Sequence, residues 1–341
     1  MKTHAFQLVK NGKVETAFKY KEIELPSLAN DELLIETEAF GLNYADVMAR
    51  NGLYRECPPL PAVIGYEVVG VVKETGKDVN SDLIGKRVVA FCRFGGYAKH
   101  VITKEFAVVE IDTMPAGEAM CLATQYVTAF YMCNYLAPVY KDEKVLIHAA
   151  AGGVGTALIQ LLKLKGAHII AKTSNRKKEQ YLKNQGVDHI LFHQEKAYEE
   201  SLLDYLGEQR LDVSFNPVAG ASFKKDFALL GSGGRLILFG GSERSGKKWG
   251  ILSTLNFVRK MGLVIPIGLM MRSKNILGVN MLKLADNKPH VLKACLQEVV
   301  DLAKSKKITP QIGGNFKHTE LEKAHEFLES GKSTGKIIVT F

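Results

Sequence analysis

A glycine-rich turn at residues 149–155 has the residue types and spacing that bind phosphate. The apolar run Val145–Ile147 precedes it, the turn reads Ala-Ala-Ala-Gly-Gly-Val-Gly, and apolar residues at helical spacing follow as far as Gly166. A strand, a tight turn and a helix in this order point backbone N–H groups and the positive end of the helix dipole at a pyrophosphate. We predict that the contacts come from Gly152, Gly153, Val154 and Gly155. Because Ala150 stands where the fingerprint usually has its first glycine, a turn that binds nothing remains the alternative.

The residues after the next strand bear on the choice between NADH and NADPH. An NAD site usually has a carboxylate there to hold the ribose 2′-hydroxyl. This chain has hydroxyls and cations instead, with no acidic residue before Glu179. Charge-assisted hydrogen bonds from such cations suit a 2′-phosphate. We therefore predict NADPH as the cofactor, held by Thr173, Ser174, Arg176 and Lys178; a solvated basic helix start is the alternative.

The composition limits the class of protein. A length of 341 residues corresponds to about two domains, and 46% apolar residues suffice for buried cores. The net charge of +9 is spread along the chain, so no nucleic-acid partner is expected. Five cysteines without a CxxC pair indicate free thiols in a reducing compartment. Since the N-terminal residues include no apolar signal segment, we predict a cytoplasmic protein.

The stretch 251–271 is unusually apolar. Arg259 and Lys260 lie at its middle and Pro266 follows, so no uninterrupted run reaches the roughly 18–20 apolar residues that a membrane span requires. We predict no integral membrane segment. The stretch is interpreted instead as a buried segment or as an apolar lid over the substrate.

The elements that must position these residues follow from the apolar pattern. Short strands bounded by glycine and proline at 4–9, 13–20 and 32–40, then a loop and short helix at 41–54, predict a barrel-like β domain over about the first 110 residues. Beyond Pro115 the pattern alternates between helices and strands, which predicts a doubly wound sheet. Its elements are a helical stretch at 117–137, strands at 189–192, 211–215, 235–240 and 275–281, and a helix at 288–306. Residues 308–341 return to β character.

Several motifs in order resemble the medium-chain dehydrogenase/reductase superfamily, in its zinc-free NADPH:quinone oxidoreductase branch. They are NYADVMARNGLY, GYEVVGVV, GKRVVAF, GGYAKHV, AAGGVG and TGKIIV. The stretch MMRSKNILGVNML also resembles the group of vesicle amine transport protein 1 homologues. The resemblance implies an α/β architecture, with a GroES-like β-barrel catalytic domain at 1–121 and 285–341 and a Rossmann NADPH domain at 122–284. It also implies a homodimer joined edge to edge through the Rossmann sheets, which we place at 275–281.

The resemblance assigns roles to individual residues. Asn43 and Thr124 match positions that line the nicotinamide, and Tyr54 matches a position near the quinone. Tyr54 is therefore predicted to give a proton or a hydrogen bond to the substrate oxygen; a packed aromatic, with water as proton donor, is the alternative. The cofactor set implied by the resemblance also includes His193, Phe239 and Gly240.

Residue types argue against a metal. The zinc-dependent relatives have Cys where this chain has Asn43 and His where it has Tyr66, and neither asparagine nor tyrosine replaces those ligands. Glu67 alone does not form a metal site. We therefore predict a zinc-independent, NADPH-dependent reductase of quinones or other α,β-unsaturated carbonyls. The alternative is a catalytically weak NADPH-binding protein with a structural or vesicle-associated role.

Overall fold

The computed structural model of the protein describes residues 1–192, 197–244 and 250–341. The strands, in chain order, are β1 Lys2–Leu8, β2 Phe18–Glu24, β3 Glu32–Leu42, β4 Ala62–Val63, β5 Glu67–Thr75, β6 Arg87–Phe91, β7 His100–Lys104, β8 Val108–Glu110, β9 Lys144–Ile147, β10 His168–Thr173, β11 His189–Phe192, β12 Leu211–Asn216, β13 Leu230–Leu238, β14 Asn275–Gly278, β15 Ile312–Lys317 and β16 Lys336–Thr340.

The α-helices, in the same order, are α1 Val14–Ala17, α2 Tyr44–Arg50, α3 Ala116–Met120, α4 Val127–Phe130, α5 Gly153–Leu164, α6 Glu179–Asn184, α7 Tyr198–Leu206, α8 Ala221–Leu229, α9 Gly250–Met261, α10 Pro266–Arg272, α11 Met281–Asn287, α12 Pro289–Lys304 and α13 Leu321–Glu329. Short 3₁₀ turns at Arg176–Lys178 and elsewhere, and π-helical turns at Leu122–Tyr126 and Tyr131–Leu136, complete the helical segments.

One of two compact units spans Ala129–Asn280 and contains a six-stranded parallel sheet. Its strand order is β11-β10-β9-β12-β13-β14, the arrangement of a doubly wound dinucleotide-binding sheet. Leu146 and Ile170 on its strands pack with Phe223 and other buried apolar side chains. Burial on both faces explains why these strands are apolar throughout. The predicted doubly wound sheet is confirmed.

The other unit comprises Met1–Thr128 and Met281–Phe341. Its larger sheet follows the path β15-β16-β3-β5-β6-β8, with β7 also paired to β3, and a smaller sheet has the order β2-β1-β4. Strand β16 pairs antiparallel with β3, with Ile337 opposite Leu42. That register sets Lys336 beside the residues that begin α2. The chain leaves this unit after Thr128 and returns to it at Met281. The predicted domain limits at residues 121 and 284 stay predictions.

Several predicted elements need correction. The strand predicted at 13–20 is a helical turn, α1, followed by β2, because Val14 and Ala17 are buried together at helical spacing. The strand predicted at 235–240 begins earlier, at Leu230, and the one at 275–281 ends at Gly278. The tail predicted as β also contains α13.

The apolar stretch 251–271 is not buried as predicted. Among its described side chains, Leu263 is 89% exposed and Met271 is 81% exposed. From Thr254 to Arg272 its length and mean hydropathy of 1.2 would suit a membrane span. However, residues 262–265 interrupt the helix between α9 and α10, and lipid does not satisfy the freed backbone groups. The buried interpretation is wrong, and the lid remains a prediction.

Candidate functional site

Three buried polar side chains meet where α2 begins, between the starts of β5 and β16, which lie on either side of β3 in the larger sheet. Asn43, the N-cap of α2, donates its side-chain N–H to Glu67 Oε1 over 2.7 Å. Lys336 Nζ donates to Asn43 Oδ1 over 2.9 Å and also to Glu67 Oε1. Glu67 and Lys336 are fully buried. Each charge therefore has a partner that compensates part of its loss of water.

This trio does not fit a zinc ion. Its centre already holds an ammonium group, which repels a cation, and its donors are one amide and one carboxylate. Zinc sites use thiolate, imidazole or carboxylate ligands in a tetrahedron. Across the described ranges, no cluster of three or more His, Cys, Asp and Glu side chains could hold a metal ion.

Asp46 lies in the first turn of α2, next to the trio. Its Oδ2 accepts the backbone N–H of Asn43 over 2.7 Å, and its Oδ1 is buried without a hydrogen bond. Complete burial is the main cause that raises the pKa of Asp46 to about 7. A carboxyl that is neutral near physiological pH can retain an unpaired oxygen at lower cost than a carboxylate.

Two tyrosines stand near this helix. Tyr54 is half-buried, and its ring lies 6.1 Å from that of Tyr66 in an edge-to-face arrangement. Tyr66 is buried and packs against Phe94, with ring centroids 5.2 Å apart. Burial raises the pKa of Tyr54 to about 12 and raises that of Tyr66 further. Both phenols are therefore protonated at neutral pH and can donate.

Thr124 sits in the π-helical turn Leu122–Tyr126, a feature that often marks functional sites. Its Oγ1 atom is buried, with no hydrogen-bond partner among the described residues. An unpartnered hydroxyl of this kind fits a polar group supplied by a ligand.

The glycine-rich turn has the geometry of a phosphate cradle. Helix α5 starts at Gly153 after the N-cap Gly152, which supplies no side-chain cap, so the first N–H groups of the helix are available to an anion. A Cβ on Gly155 would lie 2.5 Å from Ala150 O, so only glycine fits there. A Cβ on Gly152 would meet Ala149 O at 3.2 Å. Val154 follows in the first turn of α5 and is half-buried.

The end of β10 leads directly into the predicted 2′-phosphate residues. Thr173 is buried and its Oγ1 accepts the backbone N–H of Asn175 over 3.3 Å, while Ser174 is exposed. The Arg176 guanidinium lies 4.8 Å from the centroid of the Phe192 ring. Burial lowers the pKa of Lys178. Hydroxyls and cations thus share one short segment at the carboxyl edge of the sheet.

The other predicted cofactor residues differ in what the structure describes. Phe239 and Gly240 follow β13, and the backbone N–H of Phe239 donates to Asn216 O over 3.3 Å. A Cβ on Gly240 would lie 2.6 Å from Pro217 O, so the two segments approach closely. His193 lies outside the described residues.

The sequence matches two protein families. Residues 29–116 match the alcohol dehydrogenase GroES-like domain, and residues 153–305 match the zinc-binding dehydrogenases. The chain belongs to the medium-chain dehydrogenase/reductase family. It is an oxidoreductase of that family, and the predicted family and fold class are confirmed. The zinc named in the second description does not suit the donors found around Lys336.

Relatives within the family have different names. A synaptic vesicle membrane protein VAT-1 homolog of Danio rerio is 28% identical over 320 residues, which are 92% of this chain but only 65% of that protein. The human quinone oxidoreductase is 26% identical over 321 residues, with 93% and 92% of the two chains covered. This chain thus spans about two thirds of the first relative and most of the second.

Solved structures agree with the fold. The human synaptic vesicle membrane protein VAT-1 homolog-like protein matches with a TM-score of 0.85 and 25% identity, covering 100% of this chain and 98% of that one. The mycobacterial protein Rv1454c, complexed with NADPH, matches with a TM-score of 0.85 and 26% identity, covering 99% and 100%.

A second buried network in this medium-chain reductase is absent from the sequence-based predictions. In the parallel-sheet unit, Asp226 accepts hydrogen bonds from Tyr198, Ser214 and Asn216 over 2.6 to 2.8 Å, and its Oδ1 lies 3.0 Å from His148 Nε2. Burial works to raise its pKa, but these partners outweigh burial and lower it. Because His148 directly precedes the glycine-rich turn, the network anchors that turn. A lone histidine at a strand end is the only signal in the sequence.

Proposed function

We propose that the protein is a metal-independent, NADPH-dependent reductase of quinones or other α,β-unsaturated carbonyls. The observation that carries the proposal is the arrangement around Lys336. An ammonium group, bound to Asn43 and Glu67, stands among the residues that would otherwise have to hold a catalytic zinc ion. Without a Lewis acid, the substrate oxygen must be stabilised by hydrogen-bond donors.

NADPH fits the residues of the parallel-sheet unit. We infer that the turn from Gly152 to Gly155 holds the pyrophosphate and that Thr173, Ser174, Arg176 and Lys178 hold the 2′-phosphate. Phe239 and Gly240 border the same carboxyl edge of the sheet. His193 is kept as a cofactor-binding residue on the strength of the family resemblance alone. The NADPH bound to Rv1454c, a relative at 26% identity, supports the choice of cofactor. When bound, NADPH supplies the hydride.

The residues of the β unit have distinct tasks in this proposal. The unpartnered Thr124 Oγ1 binds the nicotinamide amide, and Asn43, locked by Glu67 and Lys336, borders the same ring. Tyr54 donates a hydrogen bond to the oxygen of the acceptor. Besides the hydride, reduction of a quinone to a hydroquinone consumes one proton. Because burial raises the pKa of Tyr54 to about 12, this phenol keeps its own proton at neutral pH, and we assign the proton that the product takes up to solvent.

We also propose a homodimer joined through β14, which ends the strand order of the parallel sheet. The N–H of Val279 already donates to Leu238 O over 2.9 Å, so the alternate backbone groups, at Gly278 among them, point away from β13. Such an open edge invites pairing with a second copy. The exposed apolar residues Leu263, Met270 and Met271 lie shortly before it in the chain, and a partner copy would cover them.

The dimer is tested by sedimentation of Gly278→Pro against Gly278→Ala. Proline removes an outward N–H, whereas alanine retains it, and a Cβ at Gly278 has no atom within 4 Å. We expect the proline variant to be monomeric at micromolar concentration and the alanine variant to be dimeric. A wild-type monomer, or a dimer unaffected by proline, contradicts the proposal.

The activity is tested by NADPH oxidation with a panel of quinones and enones, before and after treatment with a chelator. We expect slow, broad reduction that the chelator leaves unchanged, and no useful oxidation of ethanol. Tyr54→Phe should lower the turnover number by roughly tenfold to a thousandfold, the loss typical of one oxyanion donor, with NADPH affinity unchanged. Tight NADPH binding without turnover of any acceptor would favour the catalytically weak alternative. Stoichiometric zinc with chelator-sensitive activity would refute the metal-independent assignment.

A further inference from the structure

The hydroxyl of Tyr66 is one of the buried polar groups of the β unit that lack a hydrogen-bond partner among the described residues. Gly65, at a φ of +100°, turns the chain just before β5, and Tyr66 follows with only 3% of its surface exposed. Its hydroxyl is buried and makes no well-formed hydrogen bond with any described residue. A buried hydroxyl without a partner has lost its hydrogen bonds to water and gained none in return, which destabilises the fold. Such a group needs a reason to be there, and a ligand oxygen supplies one.

The surroundings of Tyr66 select the kind of ligand. The centroid of its ring lies 6.1 Å from that of Tyr54, which is edge to face with it, and 5.2 Å from that of Phe94. Asp46 and Tyr54 lie close enough to add to the effect of burial on its pKa, and all of these effects keep the phenol protonated. A neutral donor among aromatic rings suits an uncharged planar carbonyl compound better than a carboxylate or a cation.

We propose that Tyr66 is a second hydrogen-bond donor to the carbonyl oxygen of the acceptor, acting together with Tyr54. This inference rests on the proposed function. Tyr66 occupies the sequence position where zinc-dependent relatives have a histidine ligand, so an O–H dipole takes over the polarisation that a metal would provide. No proton leaves the phenol: its hydrogen bond shortens as negative charge grows on the oxygen during hydride transfer.

A matched pair of variants separates this role from packing. Tyr66→Phe removes an unpartnered hydroxyl, whereas Tyr97→Phe removes a buried hydroxyl that lies 3.2 Å from His325 Nε2. The full-length variants are compared for unfolding in urea, for NADPH affinity, and for kcat and KM with duroquinone and cyclohexenone. We expect Tyr66→Phe to lower kcat/KM at least tenfold without loss of stability or NADPH affinity. Tyr97→Phe should lose stability and keep its kcat/KM.

Coupling to Tyr54 is measured by a double-mutant cycle. If both hydroxyls bind one oxygen, the combined loss in Tyr54→Phe/Tyr66→Phe should differ from the product of the single losses. If Tyr66→Phe has wild-type kinetics and the double variant equals Tyr54→Phe, Tyr66 is a packing residue and the inference is overturned. It is overturned as well if the activity of Tyr66→Phe falls only together with its stability and NADPH affinity.

An infrared measurement makes the inference independent of turnover. Cyclohexenone labelled with ¹³C at the carbonyl is bound to the protein in the presence of NADP⁺. A donor lowers the carbonyl stretching frequency, so the band of bound ligand should move to higher frequency in Tyr66→Phe and not in Tyr97→Phe. A wild-type protein that reduces no acceptor refutes the proposed function, while the infrared band still decides on Tyr66. An unshifted band overturns the inference even if the enzyme is active.

Discussion

Two sets of buried polar groups in the β unit contrast with each other. In the set around Lys336, the ammonium group is bound by both Asn43 and Glu67; we call this set closed because every side chain in it has a partner, although the second carboxylate oxygen of Glu67 makes no hydrogen bond. The hydroxyls of Tyr66 and Thr124 are equally hidden from water but have no partner among the described residues. Closed networks stabilise a fold, whereas unpartnered groups are where a ligand gains binding energy. The difference separates the scaffold of the site from its contact surface.

The largest expected effect comes from opening the closed set. Lys336→Met leaves Glu67 as a buried charge without its counter-ion, which should reduce the free energy of unfolding by about 3–5 kcal/mol. Urea denaturation measures the loss. The double variant Glu67→Gln/Lys336→Met removes both charges and should recover most of it. If the single variant is as stable as wild type, the pair is not the structural centre described above.

Protonation of Asp46 should produce an effect of similar size that depends on pH. Because burial raises its pKa from 3.8 to about 7 in the folded state, the unfolded chain loses its proton first as pH rises. Its contribution to stability is therefore complete below pH 4 and is lost as pH rises to 7. Relative to Asp46→Asn, the free energy of unfolding of the wild type should fall by about 1.4 kcal/mol for each pKa unit of the shift. If the free energy of unfolding changes with pH in the same way for the two proteins, the pKa of Asp46 is not raised.

In the parallel-sheet unit, the glycine-rich turn offers a contact surface for a ligand whose shape can be tested directly. Gly155→Ala places a methyl group 2.5 Å from a backbone oxygen, and the turn must move to accept it. Overpacking of this kind costs about 1–3 kcal/mol, so NADPH should bind roughly tenfold to a hundredfold more weakly in a fluorescence titration. Gly152→Ala, whose nearest neighbour is 3.2 Å away, is the matched control and should show a smaller loss. Equal losses would mean that the cradle is not shaped by close approach.

Cofactor choice is expected to show the smallest effect. Wild-type protein should bind NADPH at least tenfold more tightly than NADH, a difference of about 1.4 kcal/mol. Lys178→Glu should remove the preference, because a carboxylate repels the 2′-phosphate and accepts from a ribose hydroxyl. Lys177→Glu, at the exposed neighbouring position, is the control and should retain most of it. Equal affinity of the wild type for both cofactors would refute the 2′-phosphate assignment.

Local pattern predicted much of this architecture. Apolar runs and glycine positions located β9, α5 and β11, and their alternation predicted the parallel sheet. Patterns failed where two periodicities overlap, as at α1, where Val14 and Ala17 suit either a strand or a helical turn. They also failed for 251–271, since apolar content predicts burial but does not reveal which apolar side chains stay exposed.

The candidate site was less accessible to sequence reasoning. The resemblance to a family singled out Asn43, Tyr54 and Thr124, but Lys336, which binds Asn43, comes from a distant part of the chain. Lys336 is separated from Glu67 by 269 positions, and Asp226 from His148 by 78. A lysine at the very start of an apolar strand could have drawn attention to β16. No local pattern shows which carboxylate it meets.

The split of the β unit across the chain affects how the protein is made. Glu67 leaves the ribosome 269 residues before Lys336 does, and residues 129–280, which form the other unit, are synthesised in between. At a synthesis rate of about 5–20 residues per second, the Glu67 carboxylate is without its counter-ion for roughly 15 to 50 seconds. During that time β3 also lacks its neighbour β16. The nascent N-terminal segment therefore presents an open strand and an unmatched charge, a natural substrate for chaperones, while the parallel-sheet unit can already fold.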